Sequence, residues 1–159
     1  MKYVKGKIKN MKDIPLSEIT LRKYEKPTSL EKRELIRKIC LSLGLLQLGD
    51  SRDIIVDIFM VLIEANKIKE ELTSDEINKR VEETMKKYSL ETKGLAESNV
   101  RRQLKRLRDY MLIEKTENKY YLSEHSTIKE IFTNSIEKFV LPQIIERIKE
   151  YLNELDKIN

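Results

Sequence analysis

The sequence predicts a mainly α-helical chain that carries one small β-hairpin. Three observations point there. Apolar residues recur at spacings of three and four in several separate stretches from residue 30 onward. Thr73-Ser74-Asp75-Glu76 places a hydroxyl three residues before a glutamate, the capping-box pattern that opens a helix. The helical period gives way only around residues 112–122, where two short runs read as strands. With 159 residues and 40% apolar content, the chain can bury one ordinary core, with appendages rather than a second full domain. The boundaries we read are a basic N-terminal arm over 1–29, a domain over 30–122 and a C-terminal helical segment over 123–159.

The arm has no sustained helical period, contains Pro15 and Pro27, and carries Lys2, Lys5, Lys7, Lys9, Lys12, Arg22, Lys23 and Lys26. Ile14, Leu16 and Ile19 are its candidate anchors onto the body. From Leu30 to Leu43 the residues Leu35, Ile36, Ile39, Cys40 and Leu43 mark a first amphipathic helix, and Gly44 suits the left-handed position that ends it. Asp50 or Ser51 is placed to cap a second helix running to about Asn66. Its residues Ile54, Ile55, Ile58, Phe59, Val61, Leu62 and Ile63 are apolar around most of the circumference, which requires a central position in the core or in an interface. The third helix runs from the capping box to about Tyr88, with Ile77, Val81, Thr84 and Met85 facing inward. A linker ends at Gly94, and a fourth helix follows from Glu97 to about Tyr110 with Val100, Leu104, Leu107 and Met111 on one narrow face. Leu112 to Lys115 and Tyr120 to Leu122 then form the hairpin around Glu117-Asn118. Residues 127–158 are a long helical pattern that Pro142 should kink or restart.

Charge narrows the function. The chain holds 32 Lys and Arg against 27 Asp and Glu, for a net +5. Its segments are unequal: residues 1–40 carry +7, 41–94 carry −3, 95–122 carry +3 and 123–159 carry −2. Two basic regions on a mildly acidic body suit an anionic partner such as nucleic acid. One cysteine excludes an internal disulfide, and one histidine leaves no Cys/His set for zinc, so no metal and no cofactor are expected. Cys40, among apolar neighbours, reads as a buried structural thiol, and His125 as a hydrogen-bonding residue at a helix end. The longest apolar stretch, Ile54 to Ile63, is broken by Asp57 and too short for a bilayer, so the expectation is a cytoplasmic protein without a membrane partner. No phosphate loop, nucleophile elbow or catalytic carboxylate pair stands out, and no enzymatic activity is expected. The richness in Ile, Lys and Glu with little Gly resembles the composition of thermophile proteins.

Three helices and then a hairpin, with the third helix basic, is the order of parts in a winged helix-turn-helix. The stretch from Gly94 through Glu97-Ser98-Asn99-Val100-Arg101-Arg102 to Met111-Leu112-Ile113-Glu114-Lys115 resembles the recognition helix and wing of winged-helix transcription regulators of archaeal type, over roughly residues 53–122. It departs from that family in having Met111 where glycine usually ends the helix, and in a long stretch from Tyr88 to Leu95. The resemblance implies binding of double-stranded DNA and regulation of transcription.

At about 100° per residue from Val100, Ser98, Arg102, Lys105 and Asp109 fall near the outer pole of the fourth helix, and Arg101 and Arg106 flank it. A guanidinium fork can bond guanine O6 and N7 together, and the short Ser98 and Asn99 allow close approach to base edges. Lys115, Asn118 and Lys119 are the hairpin's candidates for phosphate or the minor groove. The bland alternative is a solvated basic face. Five of the fourteen residues from Glu97 to Tyr110 are basic against two acidic, with a hairpin directly after, and this favours nucleic acid. A winged-helix protein adaptor and an RNA binder stay open. Tyr120 and Tyr121 are expected to pack across the hairpin rather than stack on bases. Ile145, Ile148, Leu152 and Leu155 repeat at three, four and three, the seam of a short coiled coil that Phe139, Val140 and Tyr151 widen, which implies a homodimer. The target sequence, the sign of regulation and any effector ligand are not written in these residues.

Overall fold

The computed structural model describes residues 13–49, 53–88 and 95–158. Helices dominate, accompanied by a small antiparallel sheet. The order is α1 (Lys32–Ser42), α2 (Ile54–Asn66), β1 (Leu72–Thr73), α3 (Ser74–Lys87), α4 (Glu97–Asp109), β2 (Ile113–Thr116) and β3 (Lys119–Leu122). A 3₁₀ turn, Ser123–His125, leads into one continuous helical run: α5 (Ile128–Ile131), a π-helical stretch Phe132–Val140, and α6 (Leu141–Ile158).

α2 is the centre of the core. From Ile54 to Leu62 every residue is buried, as its all-round apolar sequence demands. Among them is Asp57, fully buried in mid-helix. Its carboxylate accepts two hydrogen bonds from Arg33 of α1, at 2.9 and 3.0 Å, so the buried charge is paired and its oxygens satisfied. The same guanidinium reaches Asp53, and Arg37 stands 3.5 Å from Asp53. Asp53 is the residue at the N-cap of α2, but it makes no side-chain cap bond, its carboxylate being taken by these arginines; Asp50 and Ser51, the expected caps, lie outside the described residues. Leu35, expected on the inner stripe of α1, is exposed, whereas Ile36 and Cys40 are buried.

α1 and α4 end in the same device. Gly44 (φ 71°) follows the C-cap Leu43, its amide donates to the Leu41 carbonyl, and the next amide, Leu45, donates to the Cys40 carbonyl. At α4 the left-handed residue is Met111 (φ 62°), with Met111 N–H donating to Arg108 and Leu112 N–H to Leu107. Methionine thus takes the backbone conformation that glycine adopts more easily. Leu107 and Leu112, at the two ends of the longer bond, are both fully buried and pack the turn down.

The capping box at α3 forms as expected: the Glu76 amide donates to Thr73 Oγ1, and the Glu76 carboxylate accepts from the Thr73 amide. Leu72–Thr73, just before it, is a strand that the sequence reading missed. It pairs with β3, giving a three-stranded sheet in the order β1-β3-β2 rather than a lone hairpin. Two residues are too few for a period of two to show. The hairpin itself closes through Glu117 and Asn118, both left-handed (φ 50° and 65°), with Thr116 paired to Lys119, a type I′ turn without glycine. Tyr120 is buried and Tyr121 bonds Thr116 across the strands, as expected of packing residues.

Three further expectations change. Residues 13–29 are anchored to the body: the Arg22 guanidinium donates to the carbonyls of Leu41 and Leu46 and to Gln47 Oε1, while Ile19 and Tyr24 pack on the core. Leu16 is exposed, and residues 1–12, the rest of the expected arm, lie outside the described residues, as do 89–94 of the linker. Pro142 does not restart the last helix. The run is continuous, and the wider π winding ends at Val140, just before the proline, where it relieves the missing N–H and the clash with the preceding turn. His125 is not a helix-end ligand. Thr127 caps α5, and the His125 ring stacks on Tyr121 at 4.6 Å with Nε2 3.2 Å from Glu71.

Candidate nucleic-acid interface

α4 is held on three sides. Its start is fixed by Asn78 of α3, which donates to the Leu95 carbonyl at 2.8 Å. Its end is fixed by the Met111 turn, and Val100, Leu104 and Leu107 are buried against α2 and α3. What remains open is the face carrying Ser98, Arg101, Arg102, Lys105, Arg108 and Asp109, all exposed.

These cations are not equivalent. Arg101 pairs with Glu97 at 2.6 Å and Lys105 with Asp109 at 2.9 Å, each one turn along the helix. Such exposed pairs are worth about 0.3–0.5 kcal/mol and exchange readily. The side chains of Arg102 and Arg108 form no ion pair or hydrogen bond among the described residues. Arg102 sits at the pole of the open face with Ser98 one turn before it and Lys105 one turn after. Arg108, which sequence reasoning did not single out, lies on the same side as Arg101, two turns on.

The opposite flank is closed. Arg106 donates to the Leu45 carbonyl in the segment after α1 and, at 3.0 Å, to Gln103 Oε1, and Gln103 in turn donates to Asn99. Arg106 and Asn99, both expected at the interface, are half-buried in this chain of bonds. Arg106 therefore holds α4 to α1, which a helical wheel cannot reveal because it places Arg101 and Arg106 symmetrically about the pole.

Lys105, Arg108 and Lys115 line one open cleft of about 770 Å³ between the end of α4 and β2. Asp109, Glu114, Glu124 and Glu130 line it too, so it is not an anion pocket by itself. At the hairpin, Lys115 lies over the Tyr120 ring at 5.5 Å, a cross-strand contact, while the side chains of Asn118 and Lys119 are exposed and form no ion pair or hydrogen bond among the described residues. The outward surface of the molecule on this side thus carries cations from both α4 and the hairpin.

No match was found. Neither protein-family models, nor curated proteins, nor solved structures yield a significant relative of this chain.

Elsewhere the described residues hold no group of three His, Cys, Asp or Glu side chains suited to a metal ion. No described helix is long and apolar enough to cross a membrane. Cys40 is fully buried, and burial pushes its thiol pKa up to about 12, which leaves it protonated and unreactive at neutral pH. On α6, Ile145, Ile148, Leu152 and Leu155 share one face and stay half exposed; none of the helix's residues is buried. Phe139 is exposed as well, but belongs to the π-helical stretch, so the three-four-three count does not extend back to it.

Proposed function

We propose that this chain binds double-stranded DNA in the cytoplasm as a homodimer, without catalysis of its own, and regulates transcription. α2, β1, α3, α4, β2 and β3 follow the order of parts of a winged helix, with α4 as the helix that enters the major groove and the β2–β3 hairpin as the wing.

The observation that carries it is Arg102. It is exposed at the pole of a helix whose other faces are packed, it has no partner among the described residues, and the small Ser98 beside it leaves room for a base edge. A guanidinium in that place can make the bidentate contact with guanine that gives sequence preference. Arg108, Lys105, Lys115 and Lys119 around it are suited to phosphates, which position a helix without reading sequence. The internal pairing of Arg101 and Lys105 favours the rival reading of a protein-binding face to a lesser degree, since two of the four cations are already balanced.

Duplex fragments selected from the source genome for binding supply the probe. By fluorescence anisotropy, Arg102→Ala should weaken binding to the selected site by about 1–3 kcal/mol and bind random duplex nearly unchanged. Lys105→Ala should weaken both by a similar, smaller amount. Parent protein that binds no duplex DNA at 50 mM salt refutes the reading.

A further inference from the structure

We infer that α6 pairs antiparallel with α6 of a second copy, in the register that sets Ile145 against the partner's Leu155 and Ile148 against the partner's Leu152. The inference rests on the homodimer reading above and gives it an orientation and a register.

α6 carries an apolar row that no described residue covers. α6 spans 18 residues, roughly 27 Å, and none is buried. Ile145, Ile148, Tyr151, Leu152, Leu155 and Ile158 are between 45% and 82% exposed. A continuous apolar stripe of this length is rare on a surface that stays in water.

The pattern of the row says what covers it. The spacings from Ile145 through Ile148 and Leu152 to Leu155 are three, four and three, which read the same in either direction. An inverted copy therefore presents the same row, and every layer of the seam joins one isoleucine to one leucine. The midpoint of that register is residue 150, the middle of α6 itself, so the two helices overlap along their whole length. A second copy thus meets the row with the same residues on both sides, an isologous contact.

The flanks choose between orientations. Ile144, Tyr151 and Ile158 border the row on one side, and Lys149 and Asp156 on the other. Antiparallel helices bring like flanks together, so Tyr151 meets the partner's Tyr151 and Ile144 meets the partner's Ile158, an apolar border. Parallel helices would set Ile144 and Tyr151 against Lys149 and Asp156, covering apolar groups with charges that then lose water. Opposed macrodipoles add to the antiparallel arrangement. Its cost is Lys149 facing the partner's Lys149, a solvent-side pair that salt screens.

Cys40 is fully buried, so introduced cysteines report alone. The full-length chain is made as Ile148→Cys and as Leu152→Cys, one of them carrying a tag that changes its mass. Sedimentation of the parent at tens of micromolar should give a dimer that Leu152→Lys abolishes. On mild oxidation each cysteine variant alone should stay uncrosslinked, and the equimolar mixture should give the mixed disulfide. Disulfides within each variant alone would establish a parallel seam and overturn the orientation. A dimer without crosslinks in any sample would place the interface elsewhere. A monomeric parent would refute the second copy altogether, while DNA binding by that monomer would leave the α4 reading standing.

Discussion

At the scale of single residues, Asp57 and Cys40, both buried in the core, behave oppositely. Asp57 is charged and depends on Arg33, whose guanidinium its carboxylate holds above the ordinary range, chiefly through their hydrogen bonds. Arg33→Ala leaves the carboxylate buried with no partner and should cost about 3–5 kcal/mol in urea unfolding, whereas Arg33→Met with Asp57→Leu should recover most of that loss. Cys40 is neutral. Its thiol titrates near 9 in an unfolded chain and about 12 here, so between those values the unfolded state has lost a proton that the folded state keeps. Stability from this group is whole below pH 9 and falls as pH rises toward 12. Comparing Cys40→Ala with the parent at pH 8 and pH 10.5 should show a smaller loss of stability on alkalinisation in the variant.

At the scale of elements, helix ends decide where the open face of α4 points. The Met111 turn places β2 directly after α4 and sets Lys115 beside Arg108 in one cleft. A left-handed conformation costs a side chain about 1–2 kcal/mol, and a β-branched one more. Thermal unfolding should accordingly rank Met111→Gly equal to or above the parent and Met111→Val below it by about 1–3 kcal/mol. Were Val to equal Met, the turn would not be left-handed in solution. The π winding before Pro142 is a second such adjustment: the helix continues past a proline because the turn ahead of it widens.

At the scale of the whole molecule, the segment 13–29 ties the N-terminal side of the chain to the end of α1. Thr20 crosses Gly44 so closely that a Cβ there would stand 2.7 Å from Thr20 Cβ, and the Tyr110 hydroxyl, from the end of α4, closes on the same point at 3.0 Å. Arg22 supplies the bonds that keep the crossing shut. Arg22→Ala should lower stability by about 1.5–3 kcal/mol, and limited proteolysis should then cut within 13–29 well before the parent is cut. Equal protection of that segment in both proteins would show that the apolar contacts of Ile19 and Tyr24 hold it alone.

Features that depend on near neighbours are legible in the sequence. The periods of α1 to α4, the Thr73 capping box, the end of α1 at Gly44 and the two-residue turn at Glu117-Asn118 all follow from interactions within a few residues, and the sequence shows them. It also determined that Arg102 and Lys105 face outward, because Val100, Leu104 and Leu107 must face inward. Which flank of α4 is open depends on contacts between distant parts of the chain. Arg101 and Arg106 stand symmetrically about the pole, and Arg106 is drawn inward by the Leu45 carbonyl, sixty-one residues earlier in the chain. The same holds for β1, whose two residues are a strand only because β3 lies beside them, and for residues 13–29, whose charges suggested a free arm until Arg22 met the carbonyls at the end of α1. Contacts between residues far apart in the chain leave no period in the sequence, and these contacts set the face on which the proposed function rests.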